Sequence, residues 1–353
     1  MSRFDRRRFL LAATAALAAP RLWARPAFDR YPFTLGVASG APSPDGMVIW
    51  TRLAPEPLAG GGLPPLDIAV RWEVARDERF GELVRHGTAV ARPELAHSVH
   101  VEVDGLEPAR WYWYRFIAGE AVSPTGRTRT APAAGARTAC LRFAFASCQQ
   151  YEQGYYAAHR HMAAEDLDLV VFLGDYIYES SWGSRHVRKH EGPEPYTLAQ
   201  YRNRYACYKS DPDLQRCHAA FPWLLTWDDH EVDNDYAGDR SEDLDPDFLI
   251  RRAAAYRAYW EHMPLRRSAM PDGPYMRLYG RHDFGALASF HVLDGRQYRD
   301  HQVCPRFGRG GGNVVADTLC PERLAPQRSL LGLAQERWLH DGLTGAGARW
   351  NIL

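Results

Sequence analysis

VVFLGDYIYES, residues 170–180, decides how this chain is read. Val170 to Leu173 form the short apolar run of a buried strand. Gly174 breaks the run, and Asp175, Tyr178 and Glu179 follow at once. An apolar strand that ends in a carboxylate, with a phenol soon after, sets chemistry at the strand's carboxyl end, where ligands gather in α/β sheets. The surrounding pattern alternates between the two kinds of element. Strands are LRFAFAS (141–147), PWLLTWDD (222–229) and GALASFHVLD (285–294). Helices are GYYAAHRHMAAED (154–166), LAQYRNRYACYK (198–209), DFLIRRAAAYRAYWEHM (247–263) and QRSLLGLAQERWLHDGL (327–343). This alternation predicts an α/β domain over residues 138–353, with sheets flanked by helices. GRGGGN (308–313) reads as a flexible loop.

Upstream the grammar differs. Between residues 32 and 132, short apolar or alternating runs such as GMVIWTRL, IAVRWEVARD, HSVHVEVDGL and WYWYRFIAG are broken by Gly and Pro. They predict an all-β sandwich of the immunoglobulin/fibronectin III type, and Leu106, Pro108 and Tyr112 resemble its tyrosine corner. APAAGAR (131–137) reads as the linker between the two domains.

A chain of 353 residues fits that two-domain division. Lys plus Arg and Asp plus Glu balance at 43 each, which excludes a global field that would draw in nucleic acid or an anionic membrane. Any anionic substrate is left to a local site. Residues 1–24 read as an export signal: Arg3 to Arg8 are basic, and Phe9 to Ala19 form an apolar run too short to span a bilayer. Arg6-Arg7 before Phe9-Leu10 resembles the twin-arginine type, beside the plainer reading of an ordinary secretory signal. A periplasmic or secreted protein follows, with no transmembrane anchor. Export permits disulfides, and Cys207–Cys217 and Cys304–Cys320, in loop-like polar surroundings, are the expected pairs. Cys140 reads as a buried small hydrophobe.

Three strand ends bear comparison. FAFASCQQ ends in Cys148, VVFLGD in Asp175, and LLTWDDHEVDND in Asp228, Asp229, His230 and Glu231. Each has an ordinary reading: Asp175 as a helix cap, Tyr178 as core, Cys148 as a buried inert thiol, DDHEVDND as a solvated acidic loop or a calcium loop without EF-hand spacing. Together they offer thiol, carboxylates, phenol and imidazole, the donor set of a multinuclear metal site.

FAFASCQQYEQGYY, DLVVFLGDYIYE, LLTWDDHEVDND, LDGRQYRD and LLGLAQERWLHDGL occur in the order found in the alkaline phosphatase D (PhoD-like) metallophosphatases, which the chain resembles over nearly its whole length. The resemblance implies a metallophosphatase domain behind the sandwich, with one Fe(III) and Ca(II) as cofactors. By that analogy Cys148, Asp175 and Tyr178 hold the iron, Asp175 bridges the metals, and Asp229 stands where a metal-binding Asn would be. His230 becomes the residue that faces substrate. Asp228 is left between ligating calcium and orienting His230. The implied reaction is attack of a metal-activated water on a phosphate ester, His230 protonating the leaving group. Arg296 is a candidate phosphate clamp, against a structural ion pair with Asp294 or Asp300. His159 and His161 lie two apart on one helix and cannot face the same way. His186, His190 and His291 have no ligand-like neighbours.

The family usually continues with another strand and a Gly-Asp-x-His-type segment, and nothing after Asp300 supplies one. ARWNIL (348–353) reads as the opening of a buried strand, so the expectation is an incomplete version of a longer enzyme with weak or no activity. The rival readings are a phospholipase- or nuclease-type phosphodiesterase and a secreted, non-catalytic binding protein. Phosphate-ester substrate and the twin-arginine export machinery are the expected partners.

Overall fold

The computed structural model describes residues 26–345 and 347–353, so the signal expected at 1–24 lies outside the described residues. Residues 32–132 supply β1 (Val37–Ser43), β2 (Gly46–Arg52), β3 (Ile68–Ala75), β4 (Leu83–Ala91), β5 (Ser98–Val103), β6 (Trp111–Ala118), β7 (Ala121–Val122) and β8 (Gly126–Arg129). β4, β3, β6 and β7 neighbour one another in one sheet, and β8 pairs with β6. β5, β2 and β1 form part of a second. Met47, Ile49, Val99, Val101 and Val103 share a core with Val70, Val74, Tyr112, Tyr114 and Phe116, so the two sheets pack face to face. Trp50, one residue out of phase, packs with Ala38 and Ala206 on the opposite face. Every residue of β2 is therefore buried. Tyr112 Oη accepts the N–H of Glu107 at 2.9 Å, tying strand β6 to the chain just before it.

The rest of the chain adds β9 (Phe143–Ala146), α1 (Ala157–Ala164), β10 (Leu169–Phe172), α2 (Leu198–Lys209), α3 (Pro212–Ala220), β11 (Pro222–Leu225) and α4 (Phe248–His262). It ends with β12 (Gly280–Phe284), β13 (Ala288–Val292), α5 (Gly332–Thr344) and β14 (Trp350–Ile352). The architecture is mixed α/β, with helices packed on sheets. One sheet of six strands runs β5-β2-β1-β11-β10-β9, and a three-stranded sheet runs β12-β13-β14. β1 pairs in parallel with β11, Ser39 opposite Pro222 and Gly40 opposite Trp223, so this sheet crosses the boundary drawn at residues 131–137. The segment read as a linker is held down: Ala131 N–H donates to Ser43 O at 3.0 Å, and Ala286 N–H to Ala136 O at 2.9 Å. Trp50 Nε1 donates to Glu261 O at 2.9 Å, joining β2 to α4.

Local chemistry fixes the helices around the parallel strands. Thr197 and Gln200 make a reciprocal capping box at the start of α2. The unforeseen α3 is opened by Asp211, whose Oδ1 accepts from Asp213 N and Leu214 N, with Pro212 in the first turn. α2, α3 and α4 surround an aromatic core with Tyr201, Tyr205, Trp223, Tyr256 and Tyr259. Among the described residues, no helix is long and apolar enough to cross a membrane.

Three expectations need correction. Cys207 and Cys217 are buried free thiols in α2 and α3, not a disulfide, because the segment between them is helical and packed and not a polar loop. Cys304–Cys320 is the disulfide. Cys140 is exposed, since it precedes β9 on the outside of the sheet. GRGGGN is also pinned, with Gly310 N–H donating to Glu242 O at 2.7 Å. A Cβ on Gly310 would meet Ser241 O at 2.4 Å, so the glycine serves close approach.

Candidate metal centre

β9, β10 and β11 are parallel neighbours, with Val171 opposite both Phe145 and Leu224, so their carboxyl ends lie side by side. The hydrogen-bond ladder continues past the strands. Cys148 N–H donates to Gly174 O and Gln149 N–H to Asp175 O, each at 3.1 Å. Cys148 (φ 56°) and Asp175 (φ 57°) both take the left-handed conformation, which non-glycine residues rarely adopt and which is concentrated at functional sites. Gly174 (φ 112°) lies between strand and Asp175, and a Cβ there would meet Asp228 N at 2.4 Å. Only glycine lets the end of β10 pass so close to the WDDHE loop.

These turns aim the side chains at one another. The Cys148 thiol donates to Asp175 Oδ2 at 3.3 Å, and Tyr178 Oη donates to the same oxygen at 3.1 Å. Ligand atoms of Asp175, Asp229 and His230, all buried, lie within 4.8 Å of one another. Asp175 Oδ1 is buried and has no hydrogen-bond partner among the described residues. A buried carboxylate oxygen left unpaired is costly. Placed beside a thiol, a phenol, a second carboxylate and an imidazole, it fits a cation. Burial raises the Cys148 thiol, with Asp175 adding to the rise, and burial followed by Asp175 and Cys148 raises the Tyr178 phenol strongly. Asp229 is pushed up to about 6 by burial against the pull of Arg296. A bound cation reverses such shifts.

Two acids that sequence reasoning left without roles organise this site. Glu179 Oε2 accepts from His230 Nδ1 at 2.7 Å, which leaves Nε2 free of that contact. Burial alone would lower His230, but the hydrogen bond and charge of Glu179, with Asp229 and Asp175, raise it to about 9. Tyr178 stacks on the imidazole, ring centroids 4.1 Å apart. Glu231 is buried between two loops, Oε1 accepting from Tyr176 N at 2.6 Å and Oε2 from Asp228 N at 2.9 Å. It staples the end of β10 to the WDDHE loop. Glu179 was visible in YIYES and Glu231 in WDDHE, but only the fold shows which backbone and ring atoms they reach.

Asp228 does not orient His230: Glu179 occupies that position, and Asp228 Oδ1 instead accepts from Arg296 Nε at 2.5 Å. Arg296 also lies 3.4 Å from Asp229 and 3.4 Å from Asp235, so its ion pairs are with these acids and not with the side chains of Asp294 or Asp300. Asp294 takes the Arg296 backbone N–H instead. Asp235, missed as a partner, is tied in through its own N–H, which donates to Asp229 Oδ2 at 2.6 Å. A second acidic trio, Glu179, Glu194 and Asp233, is crossed by Arg251, 2.9 Å from Asp233 and 2.7 Å from Glu194. Of the remaining histidines, His190 has an unforeseen acidic neighbour, Glu152 at 3.7 Å, but Arg204 Nη1 lies 3.0 Å from the same ring nitrogen. His291 bonds Asn351, and buried His159 bonds Gln149.

Residues 143–353 match the family model described as PhoD-like phosphatase, and residues 16–132 match the PhoD-like phosphatase N-terminal domain. Alkaline phosphatase D of Bacillus subtilis (strain 168) is 51% identical over 370 residues, covering 99% of this chain and 62% of that protein. A solved structure titled "Structure of PhoD" superposes with a TM-score of 0.88 at 54% identity, covering 92% of this chain and 62% of its own. The chain thus spans 62% of the length of each of these relatives. The two matched segments, with the strand-end cluster inside the second, make the chain a member of the PhoD-like phosphatase family.

Proposed function

We propose that the protein hydrolyses phosphate esters at the Cys148–Asp175–Tyr178–Asp229–His230 cluster. The observation that carries the reading is the buried, unpartnered Asp175 Oδ1 amid thiol, phenol, carboxylate and imidazole. Cys148, Asp175 and Tyr178 would hold Fe(III), and Asp175 and Asp229 Ca(II), with Asp228 joining if it leaves Arg296. When bound, such cations neutralise charge on the phosphoryl oxygens and acidify water. The chain's own groups do the rest. With Nδ1 committed to Glu179, His230 presents Nε2 to a leaving oxygen. Arg296 offers its guanidinium to the phosphoryl group, in competition with the acids that now pair with it. Glu231 keeps the two ligand loops in register.

The same reading includes export. Arg6-Arg7 ahead of the apolar run supports twin-arginine delivery to the periplasm or outside. The face-to-face sheets of residues 32–132 and the Tyr112–Glu107 bond support an immunoglobulin/fibronectin III-like sandwich. The test is to load the purified protein with Fe(III) and Ca(II), quantify bound metal, and assay aryl phosphate monoesters and diesters with and without chelator. Retained metal and chelator-sensitive hydrolysis are expected. Hydrolysis indifferent to the chelator, or a protein that holds no metal, would refute the reading.

A further inference from the structure

Trp182 stands on the loop that follows YIYES, next to the imidazole of His230. The ring centroids are 5.6 Å apart and the planes nearly perpendicular at 84°. Single exposed apolar side chains are ordinary and mean nothing by themselves. Trp182 differs in how it is held. Its Nε1–H donates to Ser180 Oγ at 2.8 Å, so the polar edge of the indole is satisfied within the loop. Its carbonyl bonds His186 Nε2 at 2.9 Å and accepts from Gln153 Nε2 at 3.5 Å. The following Gly183 (φ 80°) turns the chain away, with nothing within 4 Å of where a Cβ would be. The residue remains 45% exposed although it is anchored at both its side chain and its main chain.

We propose that Trp182 is a specificity-determining residue: it forms one wall of a leaving-group subsite that takes planar aromatic groups esterified to the phosphate. The proposal rests on the hydrolase reading. His230 is hemmed on one side by Tyr178, stacked at 4.1 Å, and anchored through Nδ1 by Glu179. A leaving oxygen that takes its proton from Nε2 brings its substituent into the space beside the imidazole, which Trp182 borders. An aryl substituent there meets an indole already fixed in place, so little side-chain freedom is lost on binding. An alkyl substituent of one carbon is too small to profit from the same wall.

The test uses the Fe(III)- and Ca(II)-loaded protein with two non-hydrolysable probes, phenylphosphonate and methylphosphonate, titrated calorimetrically into wild type, Trp182→Phe and Trp182→Ala. Phenylphosphonate is expected to bind the wild type about 3- to 10-fold more tightly than methylphosphonate, the size of one aromatic contact. Trp182→Phe retains the preference, and Trp182→Ala removes it while methylphosphonate affinity stays within about twofold. Equal affinity of both probes for the wild type, or equal loss of both in Trp182→Ala, overturns the subsite. Binding of neither probe overturns it as well. Hydrolysis of phenyl phosphate assayed on the same samples separates the two claims. Turnover without phenyl preference sinks the subsite alone, whereas phenyl preference without any turnover sinks the hydrolase reading and with it the leaving-group role, leaving only an aromatic wall.

Discussion

The two halves of the six-stranded sheet share one hydrogen-bond ladder and end in opposite ways. In β5-β2-β1 the strands are antiparallel, and between β1 and β2 the chain turns straight back from Ser43 to Gly46. Two of their buried side chains find backbone partners: Trp50 bonds Glu261 O, and His100 bonds Trp260 O and Met263 O. In β11-β10-β9 the strands are parallel and each connection crosses back behind the sheet, so three carboxyl ends come out together. There Cys148 bonds Asp175, ligand atoms of Asp175, Asp229 and His230 lie within 4.8 Å of one another, and Asp175 Oδ1 has no hydrogen-bond partner among the described residues. The comparison teaches that Trp50 and His100 of the antiparallel half close on backbone carbonyls, whereas the parallel half gathers thiol, carboxylate and imidazole donors around a carboxylate oxygen without such a partner.

Breaking the second half gives the largest expected effect. Asp175→Asn keeps the shape of the side chain but removes the charge on which the Cys148 and Tyr178 hydrogen bonds converge and which the proposed cations would need. Hydrolysis is expected to fall by at least about 100-fold in kcat/KM, in the range for losing one charge-stabilising group. Metal content measured on the same preparation should fall with it, while the urea midpoint is unchanged or higher. A variant that unfolds instead would put Asp175 in the scaffold, and the contrast between the halves would disappear.

Where α2 meets β2 of the first half, a smaller effect is expected, and on stability alone. Lys209 is buried with Nζ unpartnered by hydrogen bonds, 4.3 Å above the Trp50 ring. Burial pushes it down from 10.5 to about 7. Between pH 7 and 10.5 the unfolded chain therefore binds a proton that the folded chain does not, and stability rises with pH across that window. Lys209→Met should flatten this rise and raise stability at pH 7 by about 1 kcal/mol or more, as replacing a buried charge by a hydrophobe often does. Denaturant midpoints at pH 7, 8.5 and 10 check it, and kcat/KM should be unchanged.

Sequence legibility follows the same division. The strand ends were readable because an apolar run followed by Gly-Asp, or by Trp-Asp-Asp-His-Glu, is a local signal, and Cys148, Asp175, Tyr178, Asp229 and His230 do come together. What the sequence hid was non-local. That β1 continues the sheet through β11 depends on pairing residues 39 and 222, far apart in the chain. The partners of Glu179, Glu231 and Arg296 lie 51, 55 and 68 residues away. Cys207 and Cys217 look like a loop pair until the Asp211-Pro212 start of a helix is recognised between them.

Visible absorption during titration with Fe(III) tests the central claim most directly, because a phenolate bound to ferric iron gives a charge-transfer band. Wild type is expected to develop the band, and Tyr178→Phe to bind iron through Cys148 and Asp175 without it. The same band in both proteins, or none in either, would contradict a centre built on the ends of the parallel strands.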